Sequence, residues 1–232
     1  MLFLCQPPIS IGGDASNGVP MPDMAATYPE LIIEDAVGVC GVRDDTRALA
    51  EAAAASDPPG RALDLGAGTG YVGLYLAQRG WDVDAVDVSP RAVELVKRNA
   101  TRTGLTMHAY QSDMYGSVQG AFDVIAFNPP MRPDENEATR IATSLLRRSP
   151  RVSRVLMALL GERLEGSRMP FLTSVVQDTR HRLNPGGRLL LAISEEETDD
   201  LAALPGVQLG RVWPIPAMIR QQIAEFRFED VV

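Results

Sequence analysis

The residues best suited to chemistry in this 232-residue chain fall in three short groups: Gly66-Ala-Gly68-Thr-Gly70, Asp87, and Asn128-Pro129-Pro130-Met131. The alternating glycines follow the apolar run Arg61-Ala-Leu-Asp64-Leu65 and remove each Cβ from a turn, so the backbone can take positive φ and a ligand can approach closely. The spacing is G-x-G-x-G with Tyr71 next, which departs from the dinucleotide fingerprint. Such a turn suits an uncharged linkage, a methionine chain joined to a nucleoside, better than a pyrophosphate. Asp87, with Val88 beside it, comes about 20 residues after the first glycine, where a carboxylate can accept both ribose hydroxyls. Asp113, in Gln111-Ser-Asp-Met114, suits a contact to an adenine amino group, with Met114 giving an amide or apolar cover. The Asn128 side chain offers a carbonyl acceptor, and Pro129 offers a second one held by its ring. Two acceptors can hold both hydrogens of an NH₂ group and aim its lone pair at a methyl for in-line displacement. Positioning then supplies most of the effect, without a strong base.

These groups need strand ends and helix starts to present them, and the intervening pattern supplies both. Arg61–Leu65 reads as a strand, Tyr71–Arg79 as a helix and Asp82–Asp87 as a strand. Ser89-Pro90 opens a helix to about Arg102, with a capping hydroxyl and a proline at the first helical position. Met107–Gln111 and Phe122–Phe127 are further strands. Pro170–Leu183 reads as a helix closed by Asn184-Pro-Gly-Gly187, followed by strand Arg188–Ser194, helix Glu195–Leu204, and an antiparallel pair, Val207–Pro214 and Ile223–Phe228. Upstream, Asp44 or Asp45 is positioned to cap a helix through Thr46 to Ala55. The alternation predicts a doubly wound, mainly parallel α/β sheet.

Residues 1–43, rich in Pro, Gly, Ser and Asn to about residue 28, read as an extended arm before one domain over 44–232. Residues 132–168 interrupt the alternation. The helical spacing of Leu145, Leu146, Val152, Val155, Leu156, Leu159 and Leu160 makes them a helical insertion: a hairpin on the sheet edge, a lid over the acceptor, or both.

Apolar content of 45% and charged content of 22% fit a globular chain with a full core. No apolar run approaches the ~20 residues that span a bilayer. Two cysteines, Cys5 and Cys40, imply no disulfide framework, and the reading is a cytoplasmic protein with no membrane association. Neither cysteine nor His108 or His181 has a ligand-spaced partner, so no metal is expected. The net charge of −8 argues against nucleic acid as partner. One stretch runs the other way: Arg140, Arg147, Arg148, Arg151, Arg154, Arg163 and Arg168 read as a solvated helix face or as a phosphate-binding surface.

On these motifs the chain resembles the class I S-adenosylmethionine-dependent methyltransferases from about Val39 to Phe228. Its Asn-Pro-Pro motif is similar to that of the HemK-like amino-methyltransferases of release-factor glutamine. The resemblance implies a Rossmann-like, seven-stranded, mostly parallel sheet with one antiparallel strand. It also implies S-adenosylmethionine as cofactor, held by Thr46, Asp64, Gly66, Gly68, Gly70, Asp87, Val88, Asp113, Met114 and Asn128. Thr46 enters through Val42-Arg-Asp-Asp-Thr46, similar to the family's segment before the first strand. Asn128, Pro129, Pro130 and Met131 would form the acceptor clamp, with Met131 where the family carries an aromatic residue.

Three functions stay open. The first is methylation of an amide, guanidine or amino nitrogen on a small molecule or protein side chain. The second is methylation of adenine N6 or guanine N2 in RNA or DNA, and the third is a catalytically silent cofactor-binding subunit.

Overall fold

The computed structural model describes residues 28–55, 59–130, 168–215 and 218–229. The arm before residue 28, Met131, and the insertion as far as residue 167 lie outside the described residues, as do the arginines from Arg140 to Arg163. The chain divides into two units, residues 1–30 and 31–232. The second holds every element below.

In chain order these are α1 (Asp44–Ala54), β1 (Arg61–Leu65), α2 (Tyr71–Ala77), β2 (Asp82–Asp87), α3 (Pro90–Thr103), β3 (His108–Gln111), β4 (Phe122–Phe127), α4 (Met169–Arg180), β5 (Leu183–Ser194), α5 (Glu195–Ala202), β6 (Val207–Pro214) and β7 (Gln221–Phe228). The seven strands form one sheet in the order β3-β2-β1-β4-β5-β7-β6. Neighbours from β3 to β5 are parallel, and β7 runs antiparallel to both β5 and β6. This is the mostly parallel, seven-stranded sheet with one antiparallel strand that the motifs implied.

The central strands are mostly apolar because both sheet faces are covered, with Asp64 of β1 and Asp84 of β2 as buried exceptions. Leu63, Leu65, Ile125, Phe127, Leu189, Leu191 and Ile193 point to one side, into a core shared with Leu172, Val175, Val176 and Leu201 of α4 and α5. The alternate residues Ala62, Val124, Ala126, Leu190 and Ala192 point to the other side, against Leu49, Ala50 and Ala53 of α1 and Tyr71, Val72 and Leu76 of α2. Leu31, Ile33 and Val42 also pack on this second core.

Two local expectations are corrected. Helix α1 starts at Asp44 with Arg43 as its N-cap, and Asp44 and Asp45 sit inside the first turn. There their charges complement the helix dipole rather than cap it. Asn184-Pro-Gly-Gly187 does not lie between a helix and a strand, because β5 already begins at Leu183. Phe122 pairs with Leu183 and Val124 with Arg188, so the four residues form a bulge within β5. The α3 start is as read: the Ser89 hydroxyl accepts from the Ala92 amide at 3.4 Å, with Pro90 at the first position. No helix among the described residues is long and apolar enough to cross a membrane.

Candidate active site

Strands β3, β2, β1 and β4 are adjacent and parallel, so their carboxyl ends emerge side by side. Leu65 pairs with Val86 on one side and Phe127 on the other, which sets Gly66 between Asp87 and Asn128. Asp87 pairs with Gln111, and Ser112–Met114 follow at the next strand end. The winding of the chain reverses between β1 and β4, the switch point at which open α/β sheets bind ligands. With ~4.8 Å between strands, the row from Asp113 to Asn128 spans roughly 14 Å. That seats an elongated ligand.

The glycine turn is built as the spacing predicts. Gly66, Gly68 and Gly70 have φ of +68°, +55° and +80°. A Cβ on Gly70 would lie 3.0 Å from Val96 Cγ1, and one on Gly66 would lie 3.1 Å from the Phe127 ring. Gly68 differs: its nearest neighbour would be the Cys40 carbonyl at 3.7 Å, which leaves room above the turn. Asp87 braces this turn. One carboxylate oxygen accepts from the Gly68 amide at 3.0 Å, and the other from the Ser89 amide at 2.8 Å. Each oxygen keeps lone-pair capacity for a ligand hydroxyl.

Asp64 lies beneath the turn, 3% exposed, and accepts from the Gly73 amide at 2.8 Å. Burial raises its pKa to about 7; the Gly73 bond opposes this and the Asp87 charge adds to it. Asp64 therefore braces the start of α2. Gly73 permits this, since a Cβ there would lie 3.2 Å from the carboxylate and 2.5 Å from Met107 Cε.

The β3 end is tied to the β2 end. The Ser112 amide donates to the Asp87 carbonyl at 3.1 Å, and Gln111 Nε2 to the Val88 carbonyl at 3.0 Å. Val88 is an apolar side chain 61% exposed. Met114 has a φ of +46°, uncommon for a residue with a Cβ, and its carbonyl is held by the Ser112 hydroxyl at 2.8 Å. Asp113 is exposed, and its carboxylate has no hydrogen-bond partner among the described residues. Val88, Asp113 and Met114 are thus gathered around Asp87.

At the β4 end Asn128 is half-buried, Pro129 buried and Pro130 exposed. The Asn128 side chain has no hydrogen-bond partner among the described residues. Arg168, where the chain re-enters the described residues, reaches the same point. Its Nη1 donates to the Pro130 carbonyl at 3.2 Å and faces the Pro129 carbonyl at 3.5 Å. Thr46 lies in the first turn of α1. Its hydroxyl is used at the α1 start, accepting from the Arg43 amide at 3.4 Å and donating to Asp45 at 3.2 Å. The link from α1 to the turn is Arg47, whose Nη1 donates to the Tyr71 hydroxyl at 3.3 Å. Met131 lies outside the described residues.

A family model described as methyltransferase small domain matches residues 40–155, from before α1 to beyond Asn128. The chain belongs to this family. It is 38% identical over 126 residues to ribosomal RNA small subunit methyltransferase C of Chromohalobacter salexigens, covering 52% of this chain and 38% of that protein. It is 36% identical over 155 residues to the release factor glutamine methyltransferase of Escherichia coli, covering 64% of this chain and 52% of that one. The chain thus spans about half or less of the length of these relatives. A 16S rRNA N2 methyltransferase of T. thermophilus, solved with AdoMet and guanosine, shares the fold at a TM-score of 0.52 and 18% identity, covering 84% of this chain and 44% of that one.

This methyltransferase-family site includes residues the motifs do not reveal. Asn99 on α3 is fully buried. Its amide donates to the Thr69 carbonyl in the glycine turn at 2.9 Å and to the Glu34 carbonyl at 3.1 Å, and its oxygen accepts from the Glu34 amide at 2.8 Å. Gly73 carried a usable signal, a glycine inside a helical pattern, which costs about 1 kcal/mol unless something requires it. Among the described residues there is no cluster of three His, Cys, Asp or Glu side chains able to hold a metal.

Proposed function

We propose that the protein is an S-adenosylmethionine-dependent N-methyltransferase acting on a compact nitrogen acceptor: an amide, guanidine or amine of a small molecule or protein side chain. The cofactor supplies an electrophilic methyl group on a sulfonium. The residues present fit such a group. The space above Gly68 admits a chain against the backbone, Asp87 offers acceptors to a ribose, exposed Val88 offers an apolar face to a base, and the exposed carboxylate of Asp113 suits an exocyclic amine. Asp64 holds the turn and α2 from behind, and the Asp87 carboxylate faces the side on which a cationic donor would lie.

The observation that carries the reading is Asn128. A half-buried amide side chain, without a protein partner among the described residues and one strand from the glycine turn, has its acceptor oxygen available to a ligand. An amide carbonyl oxygen accepts hydrogen bonds, so a substrate NH₂ is a fitting partner. With the Pro129 carbonyl, Asn128 fixes the direction of the nitrogen lone pair.

The similarity to the rRNA enzyme supports a second reading, methylation of a base amino group. Two observations favour the compact acceptor: the net charge of −8, and the engagement of Arg168 by Glu197 rather than by solvent. The test is transfer of a radiolabelled methyl group from S-adenosylmethionine to separated metabolite, protein and RNA pools. Label in the metabolite or protein pool, absent with Asn128→Ala, is expected; label confined to RNA would replace the acceptor, and no label in any pool would remove the activity.

A further inference from the structure

Arg168 stood in the sequence as one of a run of arginines, yet its side chain is only 13% exposed and faces Glu197, itself 16% exposed. Arg168 Nε donates to Glu197 Oε1 at 2.5 Å and Nη2 to Oε2 at 2.7 Å, a fork-to-fork pair that fixes the guanidinium plane. Glu197 is fixed in turn. Its Oε2 accepts from the Ser194 amide at 2.9 Å and from the Ser194 hydroxyl at 3.1 Å, at the junction of β5 and α5. Burial pushes its carboxyl up, but the bonds from Arg168 and the Ser194 amide outweigh this and hold its pKa below the usual value. The remaining nitrogen, Nη1, is left pointing at the clamp.

The clamp needs an outside donor. The peptide nitrogens of Pro129 and Pro130 carry no hydrogen, so the tetrapeptide cannot be pinned through its own donors at these positions. The two carbonyls are not held equally. At 3.2 Å the Pro130 carbonyl is bonded, whereas 3.5 Å to Pro129 is at the weak limit. We propose that Arg168, oriented by Glu197, is a positioning residue of the acceptor clamp, anchoring the Pro130 carbonyl and holding that of Pro129 only weakly, so that it keeps a lone pair for the substrate. This deepens the methyl-transfer reading and rests on it for its kinetic consequence.

The experiment uses purified release factor as the methyl acceptor. Arg168→Met and Glu197→Gln are expected to lower kcat roughly 10- to 100-fold, the scale of a misplaced reacting group. The KM for release factor and the affinity for S-adenosylhomocysteine should stay within about twofold, since neither residue touches the glycine turn. Arg168→Lys, which keeps the charge but not the fork, should fall between, and guanidinium should restore part of the turnover of Arg168→Gly. A kcat within twofold of wild type in Arg168→Met would overturn the proposal. Crystal structures of wild type and Arg168→Met give an arm independent of the acceptor: the Pro129 and Pro130 carbonyls should change direction, and unchanged carbonyls would equally overturn it. Should wild type leave release factor unmethylated, that acceptor is removed and the crystallographic arm decides alone.

Discussion

Asp87→Asn is the substitution whose outcome the structure defines most sharply. Both carboxylate oxygens of Asp87 are acceptors to backbone amides of different loops, Gly68 at 3.0 Å and Ser89 at 2.8 Å. An amide side chain has one acceptor oxygen, so its NH₂ must face one of these two donors. A hydrogen bond to a charged acceptor contributes about 1.5–3 kcal/mol, and one such bond is lost against a donor-to-donor contact. The fold should lose about 1.5–3 kcal/mol in denaturant unfolding. Ribose hydroxyls lose the same charged acceptor, so the affinity for S-adenosylhomocysteine should fall roughly 10- to 150-fold by calorimetry. Asp113→Asn is the control. Its carboxylate has no protein partner among the described residues, so affinity should drop while the unfolding midpoint stays put. Asp87→Asn behaving like Asp113→Asn in stability, or binding cofactor product as wild type does, would refute the bracing role.

Three further outcomes follow from the same geometry, and a fourth from the net charge of −8. Asp64 has its pKa raised from 3.8 to about 7, so the folded state holds a proton that the unfolded state has lost between these values. Stability should therefore fall as pH rises from about 4 to 7 and level off above, by no more than about 4 kcal/mol, and Asp64→Asn should flatten this decline in pH-resolved unfolding. Gly70→Ala places a side chain at φ +80° with its Cβ 3.0 Å from Val96. It should cost about 2–4 kcal/mol, from the left-handed backbone and the crowding together, and the same unfolding assay reads it. Asn128→Ala should spare cofactor binding but lower turnover by about 100-fold or more, as a single-turnover assay would show. Reversing Arg147, Arg148 and Arg151 to Glu should leave turnover and its shallow salt dependence unchanged; a steep dependence lost in that variant would promote the nucleic-acid reading.

The parts of the site legible in the sequence are those carried by local rules. β1, β2 and β4 announce themselves because each is a short, mostly apolar run that closes on, or is followed at once by, a residue out of place in a core: Gly66, Asp87 and Asn128. Ser89-Pro90 fixes a helix start for the same reason. What stayed hidden depends on partners distant in the chain. Asn99 meets Glu34 across 65 positions and Thr69 across 30, and nothing in an amphipathic helix marks one polar residue as buried. Arg168 meets Glu197 across 29 positions, which no local pattern separates from its neighbouring arginines. The Asn184–Gly187 bulge misled because its composition is that of a turn, while the pairing of Phe122 with Leu183 that draws it into β5 is a long-range event.

The hydrogen bond from Arg168 to the Pro130 carbonyl, 3.2 Å long, ties together two points 38 positions apart in the chain. Closing a loop between fixed ends costs entropy only as the logarithm of its length, about 0.6 kcal/mol per doubling. A change in the number of residues between Pro130 and Arg168 therefore adds little to the entropy of holding those two ends together. On the proposed clamp, descent would be slow at Asn128, Pro129, Pro130 and Arg168 and freer with the number of residues between them. An engineer could use the same division, fusing a foreign recognition segment between Pro130 and Arg168 to redirect an unchanged reaction frame.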